Sequence, residues 1–235
     1  GLTHSERLAS IGRLAAGVAH EIGNPITGIA CLAQTIRDEY QENELNVLAK
    51  KIIEQTDRTS NILQSLVNFA HAGSVSKSQK QEIVHIKDCI QEAEMLISLD
   101  KKNKDIQYQI SCSPDTAIFG DFQRILQVLV NVLNNARDAS QPGSIITLNA
   151  TSEADHVKIV VTDEGIGISK AIRDRVFDPF FTTKEPGEGT GLGLSLVFSI
   201  IEDLGGDIDI ISPVNKDNGS GTSVVIKFPR ISIDA

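Results

Sequence analysis

The chain has no Trp, two Tyr and three Cys, and aromatic residues make up only 4% of it. Hydrophobic residues still reach 40%, so a packed interior must be filled by aliphatic side chains and Ala, as in Ala-rich helical bundles. Cys31, Cys89 and Cys112 are odd in number and irregularly spaced. That argues against a disulfide framework and a cysteine metal or redox site, and they read as reduced, mostly buried small hydrophobes in a cytosolic setting. Positive charge is scarce: 22 Lys and Arg face 31 Asp and Glu, a net charge of −9, which argues against a nucleic-acid-binding surface. No apolar run approaches the roughly 20 residues of a membrane helix, and no signal peptide opens the chain. There is no initiator Met, and the sequence opens inside a helical pattern at Leu8. The expectation is a cytoplasmic piece of a longer protein, attached to a membrane only through segments outside this chain.

With 235 residues there is room for a small domain and a larger one. Apolar residues at Leu8, Ile11, Leu14, Ala15, Val18, Ile22, Ile26, Ile29 and Ala33 follow a heptad-like helical seam. Leu45, Leu48, Ile52, Thr59, Ile62, Leu66 and Phe69 form a second run, and the polar stretch 40–44 between them is short enough to be a turn. Two such helices leave a long apolar face in water, so two chains side by side in an antiparallel four-helix bundle are expected. Pro25 should bend the first helix just past His20. Residues 1–72 are thus read as the helical domain and 73–80 as a linker, with the loss of pattern beginning near His71.

Residues 81–235 alternate between strand and helix patterns. Strands are predicted over 82–86, 105–110, 144–150, 157–162, 207–211 and 222–228, and helices over 88–101, 121–139 and 191–204. Asp121 starts the strongest helix, and Gly205-Gly206 closes the last. Residues 168–190 have little regular pattern, and a loop of that length in a compact domain is usually functional, here a lid. The fold class expected is α plus α/β: a helical hairpin making a dimeric bundle, then a sandwich of a mixed sheet with helices on one face.

Five segments carry the chemistry: His20-Glu21-Ile22-Gly23-Asn24-Pro25, Asn131 to Ala139 (NVLNNARDA), Asp163-Glu164-Gly165-Ile166-Gly167, Phe177-Asp178-Pro179-Phe180-Phe181, and Gly187 to Leu194 (GEGTGLGL). Neutral imidazole, with a pKa near 6.5, leaves one ring nitrogen of His20 free to attack phosphorus, and Glu21 could orient the ring or take its proton. A lone helical His is ordinarily structural, and His4, His71, His85 and His156 are left so. His20-Glu21-x-x-Asn24 lacks the second His of a zinc-protease helix. Asn131 and Asn135, at i and i+4, present two carboxamides on one helix face, and an amide oxygen is a hard neutral ligand for Mg²⁺. Asp163 follows a strand, where a carboxylate can accept the exocyclic amine of adenine, while Gly165 and Gly167 allow close backbone approach. Gly187, Gly189, Gly191 and Gly193 precede a helix whose N-terminus suits phosphate. No Walker A lysine follows them and no dinucleotide-binding βαβ unit precedes them.

In order and spacing these segments resemble the H, N, G1, F and G2 boxes of sensor histidine kinases, and the likeness spans nearly the whole chain. The run Glu6 to Gly17 with the H box looks most like the nitrogen-regulation branch. The resemblance implies autophosphorylation of His20 by ATP with Mg²⁺, transfer to an Asp of a response-regulator receiver domain, and a homodimer. It implies catalytic roles for His20, Glu21 and Asn24, with Asn24 tied to dephosphorylation of the regulator. It further implies Asn135 as the Mg²⁺ ligand and Asn131 as its phosphate-side companion. Asp163, Gly165, Gly167, Gly189, Thr190, Gly191, Leu192, Gly193, Leu194 and Thr222 would complete the ATP site, with Lys184 reaching a terminal phosphate. Asp138 could face the nucleotide, although many histidine kinases carry a basic residue there. The F-box aromatics would either dock on the helical bundle or close the smaller core. Two alternatives stand beside this reading: a gyrase-like ATPase clamp, which needs a catalytic Glu where Asn131 stands, and a nucleotide-binding dimer scaffold without kinase activity.

Overall fold

The computed structural model describes residues 22–23, 26–38, 43–73, 81–99, 105–184, 189–215, 217 and 219–231. The chain divides into two compact units, Gly1–Ser76 with Thr182–Leu192 and Lys77–Phe181 with Gly193–Ala235. His20, Glu21, Asn24, the bend at Pro25 and residues 40–42 of the expected turn lie outside the described residues, as do 74–80 of the expected linker.

The first unit is helical. Residues 22–23 and 26–38 are helical, and α1 spans Asn43–Gly73, taking in His71, where the pattern was read as breaking. Along these helices the small side chains Ala33 and Ala49 are buried, each 1% exposed, whereas Leu32 is 68% and Leu48 56% exposed, with Ile29 and Ile52 also open. A single copy therefore leaves an apolar stripe in water, as the periodicity foretold. Cys31 corrects one expectation. It is exposed and only Cys89 is buried, because Cys31 falls on the open side of its helix; burial pushes the Cys89 thiol up to about 12.

The second unit is built on a five-stranded sheet ordered β2-β4-β5-β7-β6. Its strands are β2 (Gln107–Cys112), β4 (Ile145–Ser152), β5 (His156–Asp163), β6 (Asp207–Ile211) and β7 (Thr222–Pro229). β2 runs parallel to β4 and every other pair is antiparallel, so the sheet is mixed as expected. β1 (Glu82–His85) pairs with β3 (Ala117–Gly120) in a separate two-stranded ribbon. β3 shows no strand signal in the sequence, because Ala117-Ile118-Phe119-Gly120 has no polar residue to alternate with its apolar ones.

Strand parity decides which face is covered. Val157, Ile159 and Val161 of β5 are buried, and they sit opposite Phe228, Ile226 and Val224 of β7. The intervening residues of β5 are only partly covered, the signature of a sheet packed on one side. Helices α3 (Phe122–Ala139), against β5, and α5 (Gly193–Asp203), against β6, supply the cover, and α2 (Ile86–Ser98) packs on α3 and β1. Asp121 caps α3, its carboxylate accepting the amide of Arg124 at 3.0 Å, worth about 1 kcal/mol. Arg124 then reaches Asp203 at the far end of α5 at 2.6 Å. The stretch expected to be an irregular lid contains a short helix, α4 (Lys170–Arg173), followed by hydrogen-bonded turns as far as Phe181. Among the described residues no helix is long and apolar enough to cross a membrane.

Candidate functional site

Asp163 closes β5 in the buried register, directly opposite Thr222 at the start of β7. A carboxylate at a core position must find donors, and one oxygen does. Oδ1 accepts the amide of Gly165 at 2.8 Å and that of Thr222 at 3.2 Å. Among the described residues Oδ2 accepts nothing, so it is the free acceptor of a nearly buried group. Burial holds the Asp163 carboxyl above the usual carboxylate range, the two amides pulling the other way, and no charged side chain contributes.

Gly165 serves packing on the protein itself. A Cβ there would lie 2.6 Å from the carbonyl oxygen of Ala139, at the end of α3. The next amide, of Ile166, donates to that same carbonyl. The G1 turn is thereby pinned to the helix that carries the two asparagines. Gly167 adopts φ +74°, a conformation side chains resist.

On α3, Asn131 donates its Nδ2 to the carbonyl of Gln127 at 2.8 Å, which fixes its amide and leaves Oδ1 outward. A Cβ on Gly193, the first residue of α5, would sit 3.1 Å from that Oδ1 and 4.0 Å from Nδ2 of Asn135. The i, i+4 pair therefore faces the start of α5, and a side chain at residue 193 would crowd it. The Asn135 carboxamide makes no hydrogen bond among the described residues. Asn134 is half-buried on the same helix. Asp138 is turned to Arg137, 3.5 Å away, and is exposed.

The descriptions of two protein families match this chain. Residues 120–232 match the histidine kinase-, DNA gyrase B-, and HSP90-like ATPase family, and residues 10–75 match the His Kinase A (phospho-acceptor) domain. The chain belongs to the sensor histidine kinases. It is 33% identical over 231 residues to the sensor histidine kinase ZraS of Escherichia coli (strain K12), covering 97% of this chain and 47% of that protein. It is also 33% identical to sporulation kinase A of Bacillus subtilis (strain 168), covering 96% of this chain and 36% of that protein. The chain thus spans about half or less of the length of these curated relatives. Its fold is similar to that of the histidine kinase ThkA solved in complex with the response regulator protein TrrA, with a TM-score of 0.66 and 27% identity, covering 96% of this chain and 64% of that one.

Other residues of the kinase named from sequence fall as follows. In Thr182–Leu192, a Cβ on Gly189 would collide with the Thr182 hydroxyl at 2.6 Å and meet the Lys184 stem at 3.0 Å, so Lys184 lies across a position that only Gly can occupy. Gly191 has φ +66°, Thr190 accepts the amide of Leu192 at 3.4 Å, and Leu192 is buried. Leu194 is half-buried in the first turn of α5, and Gly187 lies outside the described residues. The F-box aromatics differ in exposure. Phe177 packs on Phe198 of α5 with ring centroids 5.4 Å apart, closing the smaller core. Phe180 is 55% exposed at φ +67°, and Phe181 lies under the guanidinium of Arg175. Ser212, a buried hydroxyl beside Thr222, escaped the sequence reading, since a Ser at a strand end beside Pro carries no chemical signature.

Proposed function

We propose that this kinase works as a homodimer that transfers the γ-phosphoryl group of ATP to His20 and then to an Asp of a response-regulator receiver domain. One observation carries the nucleotide half of this reading: Asp163, a nearly buried residue, has one oxygen saturated by backbone amides and the other left as a free acceptor, suited to the exocyclic amine of adenine. Thr222 adds a hydroxyl beside it. The carboxamides of Asn131 and Asn135, facing Gly193 at the start of α5, form the phosphate side of the proposed site.

Among the described residues no cluster of His, Cys, Asp and Glu could hold a metal alone. That fits Mg²⁺, which keeps several waters and is bound with phosphate oxygens and few protein ligands. Asn135, whose amide is otherwise unbonded, is its proposed ligand. Bound there, the ion would neutralise charge on the triphosphate.

In the reaction a neutral ring nitrogen of His20 forms a bond to the γ-phosphorus as the bond to the ADP oxygen breaks. The proton on the other nitrogen passes to Glu21. The apolar stripe on the helices supports the dimer. A relative, ThkA, is solved with a response regulator, which supports that class of partner; nucleic acid is not expected as one. The H-box run supports placement in the nitrogen-regulation branch. The reaction is assigned to the cytoplasm.

Incubation with γ-³²P-ATP should leave acid-labile, alkali-stable label on the protein, and His20→Ala should abolish it while keeping ATP affinity. Label persisting in His20→Ala overturns the assignment. A gyrase-like clamp would hydrolyse ATP without labelling, but the amide of Asn131, tied to the Gln127 carbonyl, offers no base for water. A bare scaffold would do neither. Asn24, one turn beyond His20, is proposed to hold the water that hydrolyses the regulator's aspartyl phosphate. Asn24→Ala should therefore keep autophosphorylation near normal and strongly reduce phosphatase activity, measured with the purified phosphorylated regulator. Unchanged dephosphorylation would leave Asn24 an ordinary helix residue.

A further inference from the structure

We infer that Ser212 is a positioning residue of the nucleotide site, whose hydroxyl holds the peptide that delivers an amide to Asp163 and turns the Thr222 hydroxyl toward the nucleotide. The inference rests on the reading of Asp163 as the adenine acceptor and adds a residue to it.

Ser212 follows β6 and is 2% exposed. Its Oγ accepts the amide of Ile168, on the G1 turn, at 2.7 Å and donates to the carbonyl of Gly221 at 2.9 Å. That carbonyl belongs to the peptide unit whose N–H, on Thr222, donates to Oδ1 of Asp163. One peptide plane is therefore held at its oxygen by Ser212 and aimed at its nitrogen onto the carboxylate. The same carbonyl also accepts the Val214 amide at 3.1 Å, and turning the plane would break all three bonds together.

A hydroxyl has one proton and two lone pairs. With its proton on Gly221 and one lone pair on Ile168, Ser212 has one lone pair left, and Thr222 Oγ1 lies 3.3 Å away. The Thr222 proton is thus directed at Ser212, leaving the lone pairs of Thr222 for an incoming donor. Crowding leaves little freedom here: a Cβ on Gly167 would stand 3.3 Å from Ser212 Oγ, and one on Gly221 would stand 2.9 Å from the Asp163 carbonyl. The Ser212 carbonyl is engaged too, accepting from the Arg173 guanidinium of α4. Three segments distant in sequence, the G1 turn, the end of β6 and the start of β7, meet at this one oxygen.

Calorimetric titration of the dimeric protein with ADP, GDP and inorganic tripolyphosphate, from neutral to acid pH, tests the inference. Ser212→Ala should weaken ADP about tenfold and leave tripolyphosphate unchanged. It should also move the acid midpoint of ADP binding to higher pH, because Asp163 loses amide support for its charge. A merely structural Ser212 would lower the melting temperature without moving that midpoint. Parent affinity and midpoint in Ser212→Ala, or equal losses for ADP and tripolyphosphate, overturn the inference. Equal affinity of the parent for ADP and GDP instead overturns the reading of Asp163 beneath it. Should Ser212→Ala melt below the assay temperature, Ser212→Cys, of similar size and a weaker donor, must show the same upward shift; an unmoved midpoint there also overturns the inference.

Discussion

The two ends of the proposed nucleotide site are built in opposite ways. At the adenine end the polar groups are largely committed to the protein: Asp163 Oδ1 accepts the Gly165 and Thr222 amides, and the Ser212 hydroxyl bridges the Ile168 amide and the Gly221 carbonyl. At the phosphate end Asn131 is tied back to its own helix, and the Asn135 amide meets no partner among the described residues. A base is read by direction, so its acceptor must be fixed before the ligand arrives, and buried groups cannot be left unpaired. A triphosphate with its metal brings its own charge, and its half-buried partners can stay open until it comes.

The largest effect should come from emptying the open end. Asn135→Ala should cut autophosphorylation roughly a hundredfold or more, since loss of a bound ion forfeits several kcal/mol of charge stabilisation. Adenosine affinity should be unchanged. Rates across a Mg²⁺ titration, beside adenosine binding, check this; equal losses in both would erase the distinction between the ends.

At the closed end, Asp163→Ala should weaken ATP by about tenfold to more than a hundredfold, the range for a charged hydrogen bond of roughly 1.5–3 kcal/mol. Asp163→Asn sharpens the point. Its amide oxygen can keep the Gly165 and Thr222 bonds, while its NH₂ then replaces the free acceptor. Adenine presents a donor there and guanine an acceptor, so competition binding should show preference moving from ATP toward GTP.

The pH dependence of the same residue is smaller and runs in two directions. Burial lifts the Asp163 pKa above 3.8, so its charge opposes folding at pH above the raised value. Asp163→Asn should then raise the melting temperature of the free protein at neutral pH. That advantage should shrink as pH falls through the raised value and vanish below 3.8. ATP affinity of the parent, which needs the ionised acceptor, should fall over this window. Melting and binding measured on both proteins across acid pH would show it.

The smallest effect belongs to Gly193→Ala. The added methyl would stand 3.1 Å from Asn131 Oδ1, a distance that a few tenths of an ångström of give relieves. A several-fold loss of ATP affinity is expected with none for adenosine, and an equal loss of adenosine would show that the two ends are mechanically coupled.

Much of this was legible in the chain because it is local. The spacing of Asn131 and Asn135 puts two amides on one helix face in any fold. The alternation Val157, Ile159, Val161, Asp163 puts a carboxylate in the buried register whichever sheet receives it. Asp121 signals a helix start by its own capping chemistry. β3 carries no polar residue to alternate with its apolar ones, α4 is too short to establish a helical period, and Cys31 shows that residue type alone does not choose a helix face.

Tertiary structure decided what depends on distant partners. That Asp163 divides its oxygens between the protein and a ligand follows from the pairing of β5 with β7. That Gly165 is required by the Ala139 carbonyl follows from how α3 ends against the sheet. Ser212 gained its place because the end of β6 is carried to the G1 turn. Periodicity and capping act within a few residues, and so they are written in the sequence. A hydrogen bond between segments tens of residues apart leaves no local pattern, and only the folded backbone brings its two ends together.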